Sequence, residues 1–138
     1  MCTLITTSQK PKPRVAKKDI VVYKTGYKSF DPLEKVDYFK SAYRYYMYHA
    51  DELHETSFSY DDEYLTSDCY ESELKERIPE NRRCFVSRGF HSFASIDRAN
   101  KSTLRMNLAE FVIPKGALYY INEAENVVSN KIIFKRFI

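Results

Sequence analysis

The stretch Leu108-Ala-Glu-Phe-Val-Ile-Pro-Lys-Gly-Ala-Leu-Tyr-Tyr120 decides the fold, because it holds two apolar runs of strand length on either side of a turn. Proline fixes one backbone dihedral and glycine permits a positive φ, so Pro114-Lys-Gly116 predicts a tight turn. A further apolar run, Lys131-Ile-Ile-Phe-Lys-Arg-Phe-Ile138, predicts the last strand. Together these runs indicate a small curled sheet that could hold a flat ligand.

Shorter runs predict the rest of the sheet. Asp19–Lys24 is rich in β-branched residues and predicts a strand, with a turn expected at Gly26. Residues 83–93 predict strand with a bend at Gly89, and Cys2–Thr7 predicts a short edge strand. We expect the apolar members of these runs to form the core: Val22, Phe90, Phe111, Ile113, Ile132 and Phe134.

The region from residue 33 to 50 fits two structures. Apolar residues from Val36 to Ala50 recur at helical spacing, and Pro32 stands where a helix could begin. Ser41–Tyr48 is also aromatic enough for a strand. We expect a helix over roughly the first half of the region, and the sequence alone leaves the choice open.

Two further segments complete the chain. The Ser95 hydroxyl can accept an orphan N–H of a first helical turn, so a short helix is predicted to follow it. Asn122–Asn130 reads as a polar turn. The predicted fold is therefore a single α+β domain over 1–138, with a curled, mostly antiparallel sheet and one or two short helices.

Charge is unevenly distributed along the chain. Residues 51–80 carry 2 Lys/Arg against 11 Asp/Glu, whereas residues 1–50 and 81–138 each carry 10 Lys/Arg against 4 Asp/Glu. We expect 51–80 to be an acidic loop or helical insert on the rim of the sheet. It is either a solvated segment, or a patch that pairs with a basic partner protein or with a second copy of the chain.

Composition narrows the class of protein. Three cysteines without paired spacing predict neither a disulfide framework nor a zinc motif, and no apolar run is long enough to cross a bilayer. We therefore expect a soluble cytoplasmic protein without membrane association or cofactor. The 12 Tyr and 9 Phe indicate a stacking surface, although an AT-rich genome would also enrich these residues.

Two motifs contain residue types that are typical of metal or RNA binding, but the spacing of these residues fits neither kind of site. His49 and His54 are five residues apart, which places them about 140° apart on a helix, so no metal site is predicted. Arg88-Gly-Phe-His-Ser-Phe93 has the basic residue, glycine and aromatic of an RNA-recognition strand, but its second aromatic falls on the opposite face.

A third pattern interleaves Lys40 and Arg44 with the tyrosines of Tyr38–Tyr48. Bases stack on such rings while cations meet phosphates, which would suit single-stranded nucleic acid. The neighbouring acidic segment would repel a phosphate backbone. We therefore expect a nucleotide-type small molecule rather than nucleic acid.

The order of several motifs resembles the ADP-ribosyltransferase-like fold over residues 19–138, with 51–80 set aside. A strand ends in Tyr23-Lys24, a Gly-Phe-x-Ser-x-x-Ser element follows at Gly89–Ser95, and an Ile-Pro-Lys-Gly turn comes later. The resemblance implies that Lys24 takes the family's basic position, Ser92 and Ser95 its serine element, and Glu123-Ala-Glu125 its glutamate. Lys24 replaces an expected Arg or His, and lysine cannot hold a phosphate in the bidentate manner of arginine.

The same motifs are similar to those of small uncharacterised proteins of gut bacteria and their phages. From these patterns we predict a non-catalytic nucleotide-binding protein, such as a phage or mobile-element accessory that sequesters a host signal nucleotide. The expected ligand contacts are Lys24, His91, Ser92 and Tyr119. Two alternatives stay open: a transferase that uses Glu125, and a protein-interaction module that uses 51–80.

Overall fold

The computed structural model describes residues 3–6, 13–42, 45–62, 84–102, 106–122 and 124–138. Strands dominate this part of the chain, and one short helix accompanies them. The strands are β1 (Thr3–Thr6), β2 (Arg14–Val15), β3 (Ile20–Asp31), β4 (Val36–Ser41), β5 (Met47–Tyr48), β6 (Leu53–Glu55), β7 (Ser59–Asp62), β8 (Cys84–Arg88), β9 (Phe90–Phe93), β10 (Asn107–Ile113), β11 (Leu118–Ile121), β12 (Asn126–Ser129) and β13 (Lys131–Phe137), and the helix is α1 (Ile96–Ser102).

The strands form two sheets. The larger sheet has the order β2-β11-β12-β9-β3-β10-β13-β6. In addition, β4 pairs with the second half of β3, and β5 pairs with β4. The smaller sheet has the order β1-β8-β7. Among the described residues, every pair of named strands is antiparallel, one isolated parallel bridge joins Ala50 and Phe134, and the larger sheet does not close. The predicted mostly antiparallel sheet with a short helix is confirmed, as is β1 at a sheet edge.

The long strand β3 organises the larger sheet because it pairs on both sides. Its first half pairs with β10 from Ile20↔Ile113 to Gly26↔Asn107, and its second half pairs with β4. On the side away from β10, where β4 also lies because Gly26 pairs with both Asn107 and Ser41, it meets β9 through the pair Tyr23↔Phe93. The core lies on the inner side of this sheet and contains every predicted core residue: Val22, Phe90, Phe111, Ile113, Ile132 and Phe134.

The bend predicted at Gly89 is the point where the chain passes from the small sheet to the large one. It separates β8 from β9, and a Cβ atom there would lie 2.4 Å from Cγ2 of Val128. The helix α1 begins after Ser95, whose hydroxyl accepts the N–H of Arg98 at 3.2 Å. This N-cap confirms the predicted start of the helix.

The helix expected in the first half of 33–50 is wrong. Residues 36–41 and 47–48 are strands β4 and β5, and Pro32 lies in the turn between β3 and β4. In that turn Asp31 Oδ1 accepts the N–H groups of Leu33 and Glu34, and Lys35 has a positive φ of 56°. The segment forms a strand, although its apolar residues recur at helical spacing, because pairing with β3 buries Phe39 completely in the core.

Three other predictions are corrected. Gly26 is not a turn: it lies inside β3, where the ring of Phe39 packs against it.

The polar turn expected at 122–130 contains strand β12, since Val127 and Val128 bury their side chains on opposite faces. Residues 51–62 of the acidic segment hold strands β6 and β7 rather than a loop or helix, and residues 63–80 lie outside the described residues.

No helix in the described part of the chain is long and apolar enough to span a membrane.

Candidate functional site

An exposed surface of aromatic and charged side chains covers the outer side of β3, β4 and β5. The sheet register aligns Tyr27 of β3 with Lys40 of β4 and Met47 of β5. Their neighbours Phe39 and Tyr48 point the other way, into the core, because side chains alternate along strands. We call this surface the outer aromatic face and define it by Tyr27, Tyr38, Lys40, Tyr45, Met47 and His49.

One end of the outer aromatic face is a pair of stacked tyrosines beside a lysine. The rings of Tyr27 and Tyr45 lie 6.4 Å apart at an angle of 25°, and the Lys40 ammonium is 5.0 Å from the centroid of Tyr45. Tyr27 is 42% exposed, Tyr45 61% and Met47 53%. A contiguous exposed surface of this kind marks a binding site more often than scattered apolar residues do.

The other end of the face opens into an acidic cleft. The ring of His49 stacks on Tyr38 at 5.1 Å, and its Nε2 lies 3.2 Å from Oδ2 of Asp31. The backbone N–H groups of Glu34 and Leu33 lower the pKa of Asp31, so its carboxylate is charged at neutral pH. A cleft of about 530 Å³ is lined here by Asp31, Glu34, Val36, Asp37, His49, Ala50 and Glu52.

Lys24, the first predicted contact, points into the interior. Its ammonium donates to the main-chain carbonyl of His91 and lies 5.7 Å from the ring centroid of Tyr48 and 5.9 Å from that of Phe111. Burial lowers the pKa of Lys24 to about 8. Burial also raises the pKa of Tyr48, with a smaller contribution from Tyr46.

His91 and Ser92 lie on opposite faces of β9. Phe93 is apolar, which predicts that it takes His91 to the core side and leaves Ser92 outward. In the structure Phe90 and Ser92 face the main core, and His91 lies on the other face, opposite Val128 of the smaller cluster. Phe93 lies only partly buried under the guanidinium of Arg98, 5.2 Å from its ring centroid. Burial first, and then the charge of Lys24, lower the pKa of the His91 side chain to about 4.

Ser92 has an unexpected companion in Ser129. Both hydroxyls are buried, at 3% and 0% exposure, and neither has a hydrogen-bond partner in the described part of the chain. The β9–β12 register pairs Ser129 with Phe90 and Ser92 with Val127, which places both serines on the interior face. Ser129 is not among the contacts predicted from the sequence, because residues 122–130 predict a polar turn rather than a strand.

Another buried polar atom without a partner among the described residues belongs to His54, whose ring packs near Phe90. His54 is buried, its Nδ1 is 3.0 Å from the Tyr46 hydroxyl, and its Nε2 has no partner among the described residues. Burial lowers the pKa of His54. Rings surround it, with centroids 5.3 Å away at Tyr46, 4.8 Å at Tyr48 and 6.4 Å at Phe90.

The remaining predicted residues lie at the β9–β12 end of the sheet. Tyr119 is partly buried and packs against the core between Arg14 and Ser129. Glu125 accepts a hydrogen bond from the Ser95 hydroxyl at 2.9 Å, so the structure brings together two residues of the transferase-like pattern. Glu125 is also the turn residue before β12, with a φ of 63°, and its carbonyl accepts from Ala94.

Within the described ranges, no group of three or more His, Cys, Asp or Glu side chains could hold a metal ion. No family model, curated protein or solved structure matches this chain. The resemblance to the ADP-ribosyltransferase-like fold therefore stays a prediction.

Proposed function

We propose that this chain is a non-catalytic nucleotide-binding protein that stacks the base on the outer aromatic face. The observation that carries the proposal is the exposed Tyr27–Tyr45 ring pair with the Lys40 ammonium beside it. Stacking of one base on such a ring contributes roughly 1–3 kcal/mol. A lysine beside the rings supplies a point charge for a phosphate.

The acidic cleft sets the direction in which the ligand lies. Its carboxylates accept hydrogen bonds from sugar hydroxyls or exocyclic amino groups and repel phosphate. The phosphate is therefore placed towards Lys40 and the sugar or base edge towards Asp31. Tyr27 and Asp31 are four residues apart on one strand face, a span of about 13 Å.

This charge pattern favours a mononucleotide over a nucleic-acid strand. A continuing phosphate backbone would run from Lys40 into the carboxylates of Glu34, Asp37 and Glu52. A single nucleotide, by contrast, has only one anionic end. Holding such a ligand without turning it over would suit the predicted role of a phage or mobile-element accessory that sequesters a signal nucleotide.

Thermal-shift screening of mono- and cyclic nucleotides tests the proposal. A nucleotide that raises the melting temperature of the wild type should have a much smaller effect on Tyr45→Ala and Lys40→Met. Phe30→Ala is the matched control, because Phe30 is an exposed aromatic on the opposite face of the same strand. Equal stabilisation of all four proteins would place the ligand elsewhere, and stabilisation of none would remove the nucleotide from the account.

A second candidate function is recognition of a basic partner protein. The acidic cleft favours it, because carboxylates beside the stacked rings of Tyr38 and His49 suit a Lys or Arg side chain. A lysine-rich peptide that binds the wild type and not Glu52→Lys, with no nucleotide effect, would replace the nucleotide proposal with this one.

A further inference from the structure

The interior of the large sheet holds the cationic side chain of Lys24. The Lys24 ammonium donates to a carbonyl and lies against two rings, and no carboxylate is within ion-pairing distance of it in the ranges that the structure describes. Burying an ammonium away from water is costly unless an opposite charge or several acceptors replace the lost hydration. The single neutral carbonyl of His91 replaces only part of the hydration that the ammonium loses on burial.

Two buried hydroxyls without partners in the described part of the chain lie on the same face of the sheet as this cation. The pair Tyr23↔Phe93 brings Lys24 beside Ser92, and the β9–β12 register makes Ser129 the diagonal neighbour of Ser92 on the same face. Nearly all buried hydroxyls in native proteins are hydrogen-bonded, so two orphans on one face require an explanation. A buried water could satisfy the hydroxyls, but it would leave the lysine charge uncompensated.

We propose that Lys24, Ser92 and Ser129 form an interior site for a small anion, either a phosphate-like oxyanion or a carboxylate. The ammonium supplies the positive charge and the two hydroxyls donate hydrogen bonds to the oxygen atoms of the anion. Lys24 as a residue is partly exposed, while its ammonium is buried against the rings of Tyr48 and Phe111. The site lies on the opposite side of the sheet from the outer aromatic face, and the proposal does not depend on nucleotide binding there.

The test is thermal unfolding of the full chain in sodium phosphate, sodium acetate and sodium chloride at equal ionic strength. Phosphate or acetate should raise the unfolding midpoint saturably, because a ligand that binds only the folded state stabilises it. Chloride should not. The response to phosphate against acetate distinguishes an oxyanion from a carboxylate.

Three variants locate the effect. Lys24→Met should lose the anion response and still fold, because replacing a buried charge with an apolar residue of similar length is often neutral or stabilising. Ser92→Ala and Ser129→Ala should each weaken apparent anion affinity by about threefold to tenfold. Lys115→Met, in the exposed turn between β10 and β11, should keep the full response.

The proposal is overturned if wild type shows no midpoint change beyond chloride, or if the two serine variants respond as the wild type does. The serine variants decide the question even where Lys24→Met fails to fold. Adding adenosine monophosphate separates the two sites: stabilisation that Tyr45→Ala abolishes and Lys24→Met retains belongs to the outer face.

Discussion

The ammonium of Lys24 donates a hydrogen bond to the main-chain carbonyl of His91, 67 residues along the chain. Strands β3 and β9 share only the pair Tyr23↔Phe93 in their ladder. The side chain of Lys24 therefore supplies a second link at the point where the backbone ladder is shortest. Lys24 therefore both connects β3 to β9 through a hydrogen bond and supplies the positive charge of the proposed anion site.

Stability should depend on pH through Lys24. Its pKa is about 8 in the folded protein against 10.5 in the unfolded chain, so between these values the unfolded state binds more protons. The free energy of unfolding attributable to Lys24 should then rise as pH increases from about 8 to about 10, and be flat below pH 8. Urea unfolding of wild type and Lys24→Met across this range is the measurement; parallel curves would mean that the lysine titrates normally.

The core assignment predicts a large cost at Phe111. The side chain is fully buried between Phe39, Tyr48 and Phe134, so Phe111→Ala should lower the free energy of unfolding by about 3–5 kcal/mol. Phe30→Ala, which removes an exposed ring from β3, should cost far less. Similar urea midpoints for the two variants would contradict the core described above.

The glycine inside β3 predicts a second, independent cost. A Cβ atom at Gly26 would lie 2.5 Å from Cζ of Phe39 and 2.6 Å from the main-chain oxygen of Lys40. The ring could shift but the paired backbone could not, so Gly26→Ala should destabilise the protein by about 1–3 kcal/mol. Ser29→Ala on the same strand is the control. A Gly26→Ala protein as stable as this control would show that β4 packs less closely on β3.

The turns and the helix start could be predicted from the sequence, because each is determined by a few neighbouring residues. Pro114-Lys-Gly116, the bend at Gly89 and the cap at Ser95 each act within a few residues, and all three lie where they are predicted. The β4–β5 region differs because its apolar spacing fits a helix, and only pairing with the distant β3 favours a strand. Strand β12 was missed for a similar reason, since its two valines bury against different layers.

The site was harder to predict than the fold. Lys24 and Ser92 were singled out, and the structure places them side by side, but the inward direction of Ser92 was not foreseen. The alternation Tyr27, Ser29, Asp31 could have indicated an exposed strand face had β3 been extended through Gly26. Ser129 could not be predicted as a site residue, because its position beside Ser92 depends on the pairing register of β9 and β12, which no local sequence pattern indicates.

We expect no transferase turnover from this protein. The Glu125 carboxylate accepts from the Ser95 hydroxyl at the start of α1, which is a capping and turn arrangement, and Lys24 faces the interior. Incubation with NAD should release no nicotinamide above a protein-free control. Release that disappears in Glu125→Gln would establish the enzyme and reject the non-catalytic reading.

Calorimetric titration of the best-stabilising nucleotide into wild type, Tyr45→Ala and Phe30→Ala tests the central claim most directly. Tyr45→Ala should weaken binding by about fivefold or more, because a stacked base loses roughly 1–3 kcal/mol, while Phe30→Ala should bind as the wild type does. Wild-type affinity should also fall as salt rises, since Lys40 is partly exposed. Equal affinities for the three proteins would contradict base stacking on the outer aromatic face.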